Sequence, residues 1–84
     1  MIKYLTDDQL FELVAPVQEV ILPDSIWRHK NGRNNYIIMC VALAEGSQEP
    51  VVVYRVNKFG SVPWVRVAGD FLKKFSPVPD EVAG

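Results

Sequence analysis

One cysteine and one histidine in 84 residues exclude the most chemistry here. With Cys40 alone no intrachain disulfide can form, and the paired-cysteine spacing of a structural zinc site is missing. A lone His29 among scattered carboxylates is a poor ligand set, so neither a metal nor a cofactor is expected. There is no phosphate-cradling P-loop, no GxGxxG and no paired-carboxylate motif. Long hydrophobic runs are also absent. "YIIMCVALA" and "PVVVY" are too short to span a bilayer. The opening "MIKYLTDDQL" sets Asp7, Asp8 and Gln9 where a secretory signal needs an apolar stretch. A cytoplasmic chain with no membrane partner is the expectation.

What is present suits one small folded domain. Hydrophobic residues make up 49% and charged residues 23%, which argues for a globular chain over a disordered one. A domain of this size buries only about 60% of its unfolded surface, so modest stability is expected. The net charge of −1 conceals an asymmetry. Residues 28–74 hold eight basic and three acidic side chains, whereas residues 1–27 set Lys3 against Asp7, Asp8, Glu12, Glu19 and Asp24. Asp80 and Glu81 make the end acidic as well. A basic middle between acidic ends marks either a site for an anionic ligand or a middle that the ends neutralise.

Element signals follow in order. Thr6 and Gln9 form a capping box, Leu5 and Leu10 a hydrophobic staple, and Asp7 and Asp8 stand where the helix dipole favours negative charge. Leu10, Leu13 and Val14, with Val17 as a further candidate, share a face, and Pro16 disfavours helical geometry at Ala15, so a helix over 6–15 is predicted. "VQEVIL" reads as a strand or an extended connection. "IWRHK", "YIIMCVALA", "VVVYRV" and "VPWVRV" read as strands separated by turns, the second apolar on both faces and therefore central. Pro63 suits a sheet edge. Phe71, Leu72 and Phe75 give a short helix over 69–75, and 76–84 reads as a loose tail. The predicted class is α+β: a small antiparallel sheet over 18–67, or a partly open SH3-like barrel, of four to five strands. An N-terminal helix and a short C-terminal helix flank it, and residues 1–75 form a single domain.

The stretch "IWRHKNGRNNYII" allows two hairpins. A type I′ turn at Asn31-Gly32 sets Trp27 opposite Tyr36 and Lys30 opposite Arg33. A longer loop from Asn31 to Asn35 sets Trp27 opposite Met39, and Asn34-Asn35, which also reads as turn, favours it.

"WRHKNGRNNY", "VVVYR" and "WVRVAGDF" together resemble the domain of unknown function 1653 family of small bacterial and phage proteins, over residues 26–75. The matching residues are His29, Gly32, Tyr36, Val52, Val53, Tyr54, Trp64, Val65, Arg66 and Phe71. The spacings from Tyr54 to Trp64 and from Trp64 to Phe71 fit without gaps. Trp27 stands where the family has Tyr, the turn after His29 is one residue longer, Val67 replaces a Pro, and "AEGSQEP" lacks the usual His and Thr. The resemblance implies a fold neighbourhood and a set of residues, and no activity.

Catalytic constellations are thin. A Cys–His pair needs hydrogen-bond reach and a partly open thiol, but Cys40 lies in "IIMCVAL", where a free cysteine is a small buried hydrophobe. His29 has no carboxylate near it in sequence to make it a general base. No enzyme is expected, and a small hydrolase using His29 lacks a nucleophile. Binding is better represented. Arg28, His29, Lys30, Arg33, Arg55, Lys58 and Arg66 interleave with Trp27, Tyr36, Tyr54, Phe59 and Trp64, a composition suited to single-stranded nucleic acid or another planar anion. In a plainly structural role, Trp64 would be core and Arg66 would lie over it towards a carboxylate. The candidate ligand-binding residues are Trp27, His29, Lys30, Tyr36, Tyr54, Trp64 and Arg66, for a small anionic ligand, a nucleotide or a nucleic-acid segment. The alternative is a protein-interaction or regulatory factor, phage-derived in origin, that uses a strand edge, the acidic first helix or a homodimer interface.

Overall fold

The computed structural model describes residues 5–58 and 60–79; Lys3, Phe59, Asp80 and Glu81 lie outside the described residues. The first helix, α1, spans Asp7–Gln18. Its capping box forms as predicted: the Gln9 N–H donates to Thr6 Oγ1 at 3.2 Å and the Thr6 N–H to Gln9 Oε1 at 2.9 Å. Pro16 does not end it. Val17, one residue further, packs against the core, and the Glu19 N–H donates to the Ala15 carbonyl at 3.1 Å, so the last turn is held from both sides. The segment that follows is not a strand. It turns to drop a fully buried Ile21 into the core, and the sheet starts at residue 26 instead of 18.

Four strands then follow, β1 (Ile26–His29), β2 (Asn35–Leu43), β3 (Pro50–Val56) and β4 (Trp64–Val67). A short helix α2 (Ala68–Lys74) leads directly into β5 (Phe75–Pro77). The α+β class with an N-terminal and a short C-terminal helix is therefore what forms. The sheet is antiparallel throughout, in the order β4-β3-β2-β1-β5, and it is not closed into a barrel. Phe75, expected to end the helix, and residues 76–77, expected in a loose tail, form a strand instead. They pair with the outer side of β1, Arg28 opposite Ser76 and His29 opposite Phe75, and the Val78 N–H donates to the Ile26 carbonyl at 2.9 Å. Among the described residues no helix is long and apolar enough to cross a membrane.

The hairpin takes the first register, Trp27 opposite Tyr36 and Arg28 opposite Asn35. The connection is nonetheless five residues long, 30–34, and is not a type I′ turn, since neither Asn31 nor Gly32 has positive φ and Lys30 does not pair with Arg33. The Gly32 N–H donates to the His29 carbonyl at 3.0 Å, and a Cβ at Gly32 would stand 3.1 Å from that of His29. Glycine is placed there by close approach.

A β-bulge at Met39 breaks the pairing of β2 with β3 between Ile38 and Cys40. Without it, period-two alternation would put Cys40 on the core side with Ile38. With it, Cys40 pairs with Val53 and is exposed, which corrects the expectation of a buried thiol and of a strand apolar on both faces. The core lies on the face of Trp27, Ile38, Val52, Tyr54 and Phe75, under Ala68 and Phe71 of α2. Phe71 and Phe75 stack at 4.2 Å between ring centres, and Trp27 and Tyr54 each meet Phe71 at 5.3 Å.

Candidate functional site

Alternation along five strands brings His29, Tyr36, Tyr54, Trp64, Arg66 and Phe75 to one depression of about 210 Å³ on the core face. Cross-strand pairing explains why: Trp64 opposes Tyr54, and His29 opposes Phe75. The floor is aromatic. Tyr36 meets Tyr54 at 5.5 Å and Phe75 at 5.4 Å, both edge to face, and the His29 ring stands edge-on to Phe75 at 5.0 Å. Trp64 forms the rim and is 59% exposed, so it is not a core residue.

The polar groups around this floor are mainly donors. The Asn31 N–H donates to His29 Nδ1 at 3.1 Å, so the neutral ring carries its hydrogen on Nε2. Arg66 Nε donates to the Tyr54 hydroxyl at 3.3 Å, and Nη1 donates to Asp70 Oδ2 at 2.6 Å. Its guanidinium also lies 5.4 Å from the Phe75 ring centre. The Tyr54 hydroxyl and then Asp70 hold Arg66 protonated even above its usual range, while the Arg66 hydrogen bond holds the Asp70 carboxyl below its own. Arg66 thus has the structural partner a plainly structural role requires. It still keeps Nη2 for a ligand, since no described residue accepts from that nitrogen. No buried side-chain polar atom among the described residues lacks a partner, so the Tyr36 hydroxyl and His29 Nε2, which have none, face solvent.

Five of the seven predicted site residues therefore meet. Trp27 does not belong with them: it is buried, and its indole N–H donates to Ser25 Oγ at 3.0 Å. Lys30 is exposed at the hairpin tip, where its backbone N–H donates to the Lys74 carbonyl at 2.8 Å, and its side chain does not line the depression. Other cations are dispersed. Arg28 and Arg55 alternate onto the opposite sheet face, Arg28 bonded to Asn35 at 2.9 Å and Arg55 to the Val56 carbonyl at 3.3 Å. A larger depression of about 640 Å³ sets Arg28 near Asp24 and Asn57 but gathers no aromatic side chain. Phe75 is the lining residue that sequence reasoning missed. Its signal was its position directly after the Lys73-Lys74 helix end, where a β-strand pairing cannot be read locally.

His29 and Cys40 are on opposite faces of the sheet, so no Cys–His pair forms. No group of three or more His, Cys, Asp or Glu among the described residues could hold a metal ion. Comparison of the chain with protein-family models, curated proteins and solved structures finds no match.

Proposed function

We propose that the protein is a non-enzymatic binding module that takes one planar, anionic group, a nucleotide or one nucleotide of a single strand, against Trp64. The observation that carries this is the convergence of an exposed indole, an aromatic floor and donors from His29, Tyr36, Tyr54 and Arg66 in one concavity. At about 210 Å³ the depression is smaller than the roughly 300–1,000 Å³ of pockets that enclose drug-sized ligands. It suits one ring with its charged substituent outside. The base would stack on Trp64 and its phosphate would meet Arg66 Nη2. Asp70 neutralises part of that attraction, so binding is weak and salt-dependent.

The test is titration with nucleoside monophosphates, the matching nucleosides and short oligothymidylate, read by tryptophan fluorescence and by NMR. Trp64 signals should shift while those of the buried Trp27 stay still. Nucleosides should bind less well than their phosphates. Trp64→Ala should weaken binding about tenfold, within the roughly 1–3 kcal/mol of one base stack. Absence of any shift at His29, Tyr36, Tyr54, Trp64 and Arg66 with all three ligands sinks the proposal. The second reading, a protein-interaction factor, is favoured by one observation, the exposed apolar edge of β4.

A further inference from the structure

The two edges of the sheet are protected very differently. β5 has three residues, ends at Pro77 and continues from α2 without a break, so little of it is open to another strand. β4 is the opposite edge, and Val62, Trp64, Val65 and Val67 around it are 71%, 59%, 64% and 43% exposed. Pro63 stands just before this four-residue strand and Arg66 lies within it, so the edge is blunted only in part. A row of unpaired backbone groups flanked by exposed apolar side chains is a template for another strand.

We infer that β4 pairs antiparallel with β4 of a second copy of this chain, about a two-fold axis at Val65, to give a continuous ten-stranded sheet. The register follows from parity. Two identical antiparallel strands keep matching faces together only when the axis passes through a residue, which leaves Trp64, Val65 or Arg66 as the centre. An axis at Arg66 sets two guanidinium groups opposite each other and brings Trp64 against Ala68, where the chain has already turned into α2. An axis at Trp64 sets Pro63, which has no N–H, inside the ladder opposite Val65. An axis at Val65 pairs each Trp64 with Arg66 of the other copy, a cation–aromatic match made twice. On the other face it joins Cys40, Val53 and Val65 of one copy to the same row of its mate, a single apolar stripe. The pairing needs no bound ligand, although it brings Trp64 and Arg66 of the proposed nucleotide site to the seam between the two copies.

Sedimentation velocity over micromolar to millimolar protein should show a reversible monomer–dimer equilibrium, unchanged by nucleotide-free buffer exchange. Val65→Lys sets like charges opposite each other and should leave only monomer. A cysteine pair tests the register independently of whether that variant folds. In a Cys40→Ser background, Val65→Cys should cross-link rapidly under diamide, since directly opposed Cβ atoms lie about 4.5–5.5 Å apart. Val67→Cys should not, because its two copies would be four residues out of line, about 13 Å. Monomer at every concentration, or equal cross-linking at 65 and 67, overturns the inference.

Discussion

The longer of the two helices is the one less attached to the sheet. α1 has twelve residues and buries one of them, Val14, while Phe11 stays 66% exposed. α2 has seven and buries Ala68 and Phe71, the latter completely. Between α1 and β2 an apolar groove of about 460 Å³ remains, lined by Leu10, Phe11, Val14, Val41 and Leu43. Helix length therefore says little about anchoring. What anchors a helix is apolar area withdrawn from water at its contact face, and α2 places one aromatic ring where three others converge. α1 relies more on its own cap and on Val14 and Val17.

The sharpest way to break this contrast is a matched pair of truncations. Phe71→Ala empties a fully buried site and should cost about 3–5 kcal/mol, a large share of a small domain's stability. Val14→Ala removes less, about 1–2 kcal/mol at roughly 0.8 per buried carbon group. Urea denaturation measures both. Equal losses would mean that α1 is as firmly seated as α2, against the burial pattern.

Legibility in the sequence divides along the same line. Local chemistry was readable: the Thr6–Gln9 box, the first four strands, and the alternation that sends Tyr54, Trp64 and Arg66 towards one face. Features set by distant contacts were not. Pro16 carries a local stop signal that Val17 overrides by packing on the core. Phe75 reads as the end of a helix and residues 76–77 as tail until β1 offers them an edge. The bulge at Met39 leaves no compositional mark, yet it reverses the face of Cys40. The same limit applies to the site. Its aromatic and basic members were visible, but burial and pairing are fixed only by the folded sheet: Lys30 ends at the exposed hairpin tip, Trp27 is buried on the same face, and Phe75 enters by pairing opposite His29.

Removing the cap tests whether α1 is held mainly by local terms. Thr6→Ala should cost about 1 kcal/mol. Because α1 has few buried contacts, the loss should register first as faster hydrogen exchange at α1 amides, with β2 and β3 amides unaffected. Uniform acceleration across the sheet would show that α1 and the sheet open as one unit.

The smallest expected effect lies at the α2 end and depends on pH. Asp70 sits in the first turn of α2, bonded to Arg66 at 2.6 Å and within 3.5 Å of Lys74. The Arg66 hydrogen bond first, and Lys74 after it, hold its carboxyl below the ordinary value of 3.8. A carboxyl whose folded value is depressed adds stability that is complete above the unfolded value and disappears as pH falls through the lower folded one. Wild-type melting temperature should therefore decline slightly below pH 4, and Asp70→Asn should flatten that limb while leaving the rest of the acid response intact. The group is well exposed, so solvent screening keeps the change small. The same variant frees Arg66 of its neutralising partner and should tighten nucleotide binding at low salt. An unaltered acid limb together with unaltered binding would mean that the Arg66–Asp70 pair neither ties down α2 nor tempers the site.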